Sequence, residues 1–143
     1  FQQCLPEQIS ELKKIYKTNN LKNELFSFTF DIIKYYKMAN LAITRSGSSA
    51  LAELLNCRLP MIMVPLKLSA ENHQFKNAQY FENKGYGIML EENNVEKKLF
   101  DLLKNLNNNK KMIIAVKENQ KKYSDKKVFI YIKDLITNLF YEN

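Results

Sequence analysis

Between residues 40 and 90, short apolar segments alternate with stretches of helical period, and this alternation constrains the fold more than any other feature of the chain. The segments are Asn40-Leu41-Ala42-Ile43-Thr44, Met61-Ile62-Met63-Val64 and Ile88-Met89-Leu90. Met61 to Val64 carries no polar side chain, as expected of a strand covered on both faces. Ala50 to Cys57 and about Asn72 to Lys84 read as the intervening helices. Strands that alternate with helices build βαβ units with parallel strands. The expected fold class is therefore α/β, a Rossmann-like parallel sheet with flanking helices.

The same alternation extends upstream. Leu5-Pro6-Glu7 opens a helix that runs to about Thr18, since Pro is tolerated in a first helical turn. Glu24 to Phe28 alternates as a strand would, and Asp31 to Met38 fits a short helix. Beyond residue 90 the strands stop, and 95–106, 111–123 and 128–141 read as three helices. The last carries Ile132, Leu135, Ile136 and Leu139 on one face. That face packs on the chain's own sheet or against a further domain. The 143 residues fit one domain, with no repeat or linker, and Phe1 in place of Met suggests a piece of something longer.

The net charge of +7 raises nucleic acid as a partner, but its make-up points elsewhere. Of 22 basic residues only Arg45 and Arg58 are arginine, and the lysines are spread along the chain. Base readers favour Arg, and single-strand binders interleave aromatics along a groove. Solvated helix faces account for the lysines, and no nucleic-acid partner is expected. No apolar run is long enough to span a bilayer and no signal-peptide pattern occurs. Cys4 and Cys57 match no zinc or CxxC spacing, so two reduced, partly buried thiols in a cytosolic compartment are expected.

In open α/β sheets, ligands bind beyond the carboxyl ends of the strands. Ile43 to Ser49 runs from a strand through Arg45-Ser46-Gly47 into a helix. Gly47 lets the backbone turn tightly and come close to a ligand. The helix N-terminus beyond it offers unpaired N–H groups and a positive dipole end, a phosphate site. Ser48 and Ser49 can add hydroxyl donors there, or can simply cap the helix. Glu53 follows Ser49 by four residues, about one turn or ~5.4 Å along the axis. A carboxylate so placed can accept from two vicinal hydroxyls, as acidic residues do for ribose; the alternative is a surface Glu favoured by the helix dipole.

After the second of these strands, Asn72 is a candidate cap, and Gln74 and Asn77 share a helix face at i and i+3. Neutral amides offer both donors and acceptors, which suits sugar hydroxyls, and lack the basicity for proton transfer. His73, the sole histidine, is the one evident general base and the weakest of the candidates. No DxD pair, clustered His or Cys, GxGxxG or GxxxxGK[ST] occurs, so neither a metal nor a resident cofactor is expected.

The segment Ala39-Asn40-Leu41-Ala42-Ile43-Thr44-Arg45-Ser46-Gly47-Ser48-Ser49-Ala50-Leu51-Ala52-Glu53-Leu54 resembles the donor-binding segment of the MurG family. These are the peptidoglycan N-acetylglucosaminyltransferases that make lipid II from lipid I. The likeness continues through Leu59-Pro60, Val64-Pro65, His73-Gln74, Asn77-Ala78 and Gly85, and upstream through Gln3 and Phe26-Ser27-Phe28 with Asp31. It implies the C-terminal, nucleotide-sugar half of a GT-B fold over residues 1–143, whose C-terminal helix, 126–141, packs on its own sheet, on a partner or on the N-terminal acceptor domain. It implies an inverting, metal-independent transfer from UDP-GlcNAc to lipid I at the cytoplasmic face of the bacterial inner membrane, with peripheral attachment.

Carried over residue by residue, the resemblance gives Ser48 and Ser49 the donor diphosphate and Glu53 the ribose. Gln74 and Asn77 would read the GlcNAc hydroxyls, and backbone at Phe28 and Thr29 would border the uracil. His73 falls where the family varies. The family's glycine-rich loop and acceptor domain would precede Phe1, so this chain by itself is expected to bind donor without turnover. The donor-binding subunit of a split transferase and a non-catalytic nucleotide-binding module are the rival expectations.

Overall fold

Every strand pairing among the described residues is parallel, as the strand-helix alternation requires. The computed structural model describes residues 1–124, 130 and 132–137. It divides into two compact units, Phe1–Ala39 and Asn40–Asn143.

The first unit contains β1 (Gln2–Gln3), α1 (Ile9–Thr18), β2 (Leu25–Phe26) and α2 (Ile32–Met38). β1 pairs with β2 through Gln2 opposite Leu25 and Gln3 opposite Phe26. The strand expected over 24–28 is thus shorter. Its partner leaves the ladder toward Pro6, which has no N–H to donate, and the Gln3 side-chain amide donates to the Ser27 carbonyl instead (3.1 Å). The turn Pro6–Gln8 is 3-10 and leads into α1. Asp31 caps α2, its Oδ1 accepting from the Lys34 N–H at 3.1 Å.

The second unit holds β3 (Ala42–Thr44), α3 (Ser48–Asn56), β4 (Met61–Met63), α4 (His73–Asn83) and β5 (Ile88–Met89). Two further helices follow, α5 (Val95–Asn108) and α6 (Lys111–Lys122). The strands run in the order β3-β4-β5, with Thr44 opposite Met63 and Met63 opposite Met89. The expected single sheet is therefore hydrogen-bonded as two, one in each unit. β4 is central, and Met61, Ile62, Met63 and Val64 are all buried, which is why this segment could dispense with polar residues. Gly87 is required where β5 begins: a Cβ there would stand 2.9 Å from the Met61 carbonyl oxygen.

Of the helix expected over 128–141, residues 130 and 132–137 are helical, and the remainder lie outside the described residues. Cys4 and Cys57 are free and half-buried.

α3 decides how the site is presented. Its buried face is Leu51, Leu54 and Leu55, at the i, i+3, i+4 spacing of one helical side. Ser48, Ser49 and Glu53 are exposed, so the candidate ligand-binding residues lie off the core face. Leu51→Ala should destabilise the fold by about 2–5 kcal/mol, as for leucines elsewhere in tight cores. Ser49→Ala and Glu53→Ala should each change stability by under about 1 kcal/mol. Urea unfolding of the three variants checks this, and equal losses would mean that the faces of α3 are misassigned.

Candidate functional site

The carboxyl ends of β3, β4 and β5 lie along one edge of the second sheet, and each is followed by a loop and a helix. The loop after β3 is Arg45-Ser46-Gly47, and Gly47 is the N-cap of α3. Its φ of −67° and ψ of 136° suit any residue, so the tight-turn role expected of this glycine is not needed. What it contributes is space: a Cβ there would meet nothing within 4 Å. The helix also begins two residues earlier than expected, at Ser48. Ser48 and Ser49 therefore occupy its first turn, where backbone N–H groups have no intrahelical partner. No side chain caps this end.

The turn is held from α4. Gln74 Oε1 accepts from the Ser46 N–H (3.3 Å) and from the Leu66 N–H (3.0 Å). Asn77 Nδ2 donates to the Ser46 carbonyl (3.1 Å). Both peptide groups flanking Ser46 are thus gripped by one helix face, the i, i+3 face of the sequence pattern. Ser46 is fully buried, and its hydroxyl has no hydrogen-bond partner among the described residues.

This grip alters what the two amides can offer a ligand. Gln74 has spent its acceptor on the loop and retains the Nε2 donor, while Asn77 has used a donor and retains the Oδ1 acceptor. What remains for any ligand is one donor and one acceptor, and both side chains also shape the turn. Asn72, the expected cap of α4, is left-handed (φ 58°) and makes no side-chain cap. Ser69 Oγ instead accepts from the Gln74 N–H at 3.3 Å. His73 is the exposed first residue of α4.

Two further residues were not among the expected site groups. Arg45 Nη1 pairs with Glu92 Oε1 at 2.7 Å and lies 3.4 Å from the Val64 carbonyl. Glu92 Oε2 accepts from the Lys67 N–H at 3.3 Å. The Arg45 hydrogen bond, then that of the Lys67 N–H, holds the Glu92 carboxyl below the ordinary glutamate value. A lowered carboxylate pKa means that the pairing is in force at neutral pH and is lost only as pH falls through that lowered value. An open cavity of about 340 Å³ lies beyond β4 and β5, lined by Leu66, Lys67, Phe75 and Glu92 among others. It adjoins the Gln74 brace and does not reach Ser48, Ser49 or Glu53.

Phe28 and Thr29 belong to the first unit. Phe28 is exposed and meets Phe30 edge-on at 4.9 Å between ring centroids; Thr29 Oγ1 accepts from the Asp31 N–H at 3.1 Å. Among the described residues, no group of three or more His, Cys, Asp or Glu could hold a metal ion, and no helix is long and apolar enough to cross a membrane.

Comparison with known proteins places the chain in a family. The glycosyltransferase family 28 C-terminal domain fits residues 1–130. The chain belongs to this family. Relatives of the family 28 domain include the UDP-N-acetylglucosamine--N-acetylmuramyl-(pentapeptide) pyrophosphoryl-undecaprenol N-acetylglucosamine transferase of Pelagibacter ubique. It is 33% identical over 100% of this chain and 40% of its own length. The protein of the same name from Rickettsia massiliae is 38% identical over 82% of the chain and 31% of its own length. The domain thus spans about two fifths, or less, of these relatives. The crystal structure of Acinetobacter baumannii MurG shares its fold, with a TM-score of 0.78 at 21% identity over 95% of the chain and 42% of that structure.

The open space at Gly47 generates a prediction. Gly47→Ala should leave stability within about 1 kcal/mol, because its backbone angles suit alanine. It should weaken inorganic pyrophosphate binding, because the new methyl takes up open space at the N-cap of α3. Calorimetry with pyrophosphate checks this, and unchanged affinity would place the anion elsewhere.

Proposed function

We propose that this family 28 domain binds UDP-GlcNAc as the donor half of an inverting, metal-independent N-acetylglucosaminyltransferase whose acceptor is lipid I. The observation that carries the reading is the grip of Gln74 and Asn77 on Ser46. It leaves the first turn of α3 open and puts a donor and an acceptor beside it. The names of the relatives supply the substrate class.

In this reading the N–H groups and hydroxyls of Ser48 and Ser49 hold the diphosphate, and Glu53, one turn along the same exposed face, accepts from the ribose hydroxyls. Gln74 Nε2 and Asn77 Oδ1 engage the GlcNAc. The 4-hydroxyl of the acceptor sugar attacks the anomeric carbon, the bond to the diphosphate breaks, and UDP leaves. Charge builds on the leaving diphosphate, where the positive end of the α3 dipole stabilises it most. No base is assigned to this chain, His73 included. The acceptor and its base belong to the length of the relatives that this domain does not span. The partners are then UDP-GlcNAc and, through that further part, lipid I at the cytoplasmic face of the bacterial inner membrane.

Calorimetry with UDP and UDP-GlcNAc tests the assignment. Glu53→Ala should weaken both by about 1.5–3 kcal/mol, the range for hydrogen bonds to a charged group. Gln74→Ala should weaken UDP as well as UDP-GlcNAc, because the turn loses its brace, with the larger loss for the sugar nucleotide. EDTA should change neither affinity. A folded Glu53→Ala variant with unaltered UDP affinity would remove the ribose role.

A further inference from the structure

The loops after β3 and β4 are bridged twice, in register. Gln74 joins Ser46 to Leu66 by accepting from both N–H groups. Glu92 joins the residue before Ser46 to the residue after Leu66, taking the Arg45 guanidinium on Oε1 and the Lys67 N–H on Oε2. The first bridge comes from the helix after β4 and the second from the end of β5, so three strand ends meet in one set of hydrogen bonds. Arg45 is bonded further to the Val64 carbonyl, at the root of the second loop. The Glu92 bridge is not a stability device of consequence, since Arg45 and Glu92 are partly exposed and exposed ion pairs contribute little. The effect of the two bridges is geometric. They set the spacing between the Ser46-Gly47-Ser48 turn and the Leu66-Lys67 loop, against which the Gln74 amide is aimed.

We propose that Glu92 is a positioning residue for the donor: by clamping Arg45 and Lys67 it fixes the β3 turn that receives the diphosphate. The proposal rests on the donor-binding reading above. Glu92 touches no donor atom in this account and acts through the two loops. A carboxylate suits the task because each of its oxygens serves a different donor, whereas glutamine has one acceptor oxygen and serves one of them.

The test combines amide hydrogen exchange with ligand binding in the full chain. Glu92→Ala should speed exchange at the Ser46 and Leu66 amides, which bond to Gln74 and not to Glu92. It should lower UDP affinity about three- to tenfold, the fold-change that goes with one lost hydrogen bond, and leave uridine affinity unchanged. Glu92→Gln should fall between wild type and Glu92→Ala in both readouts. Combining Arg45→Ala with Glu92→Ala should cost no more than the worse single change, because the two act as one unit. Wild-type exchange at Ser46 and Leu66 in Glu92→Ala would overturn the proposal whatever the ligand does. Faster exchange with unchanged UDP affinity would also overturn it. If the wild-type chain binds neither UDP nor UDP-GlcNAc while Glu92→Ala still speeds exchange, the clamp stands and the donor-binding reading fails.

Discussion

The arrangement of the second unit depends on one buried residue, Ser46, whose flanking peptide groups are both satisfied by side chains of α4. A buried backbone N–H or C=O without a partner is costly, and a strand-to-helix turn has no ladder to supply one. Gln74 and Asn77 supply the partners, at 3.3 and 3.1 Å. The consequence is directional. With the turn held from the α4 side, the N-terminus of α3 needs no cap of its own, and none is present. The first-turn N–H groups of that helix have no intrahelical partner. Leu51, Leu54 and Leu55 complete the arrangement by anchoring α3 in the core through its opposite face.

Much of this was legible in the sequence because the signals are local. The apolar run Met61 to Val64 declared a strand buried on both sides, and Ile43-Thr44-Arg45-Ser46-Gly47-Ser48-Ser49 declared a strand, a turn and a helix. The four-residue step from Ser49 to Glu53 and the three-residue step from Gln74 to Asn77 each placed two side chains on one helix face. Local spacing could not show what those faces meet. That Gln74 and Asn77 grip a turn some thirty residues earlier is a tertiary fact, and it turns two apparently sugar-facing amides into part of the frame. Glu92 escaped notice for the same reason. The signal was present, since an acidic pair, Glu91-Glu92, follows the third strand and Arg45 is one of only two arginines. Their pairing depends on how closely β3 and β5 flank β4. The tight turn expected at Gly47 is not required, because its φ of −67° and ψ of 136° suit any residue.

The chemistry that follows is one of placement. Amides and hydroxyls cannot move a proton effectively near neutral pH, and a helix dipole cannot attack carbon. What they can do is hold a charged leaving group and orient a neutral sugar, which is the share of a transfer reaction that a donor domain has to supply. The family 28 relationship is in keeping with a part of a larger enzyme, since the chain spans two fifths of its Pelagibacter relative.

The central claim is that the Ser46 turn, the first turn of α3 and the two α4 amides form one donor surface. Titration of the ¹⁵N-labelled chain with UDP-GlcNAc, followed by amide chemical shifts, tests it most directly. The account predicts that the largest changes fall on the backbone amides of residues 46–50 and on the side-chain amides of Gln74 and Asn77, with UDP alone moving the backbone set more than the side-chain set. Changes confined to the cavity around Lys67, Phe75 and Glu92, with residues 46–50 unmoved, would contradict it.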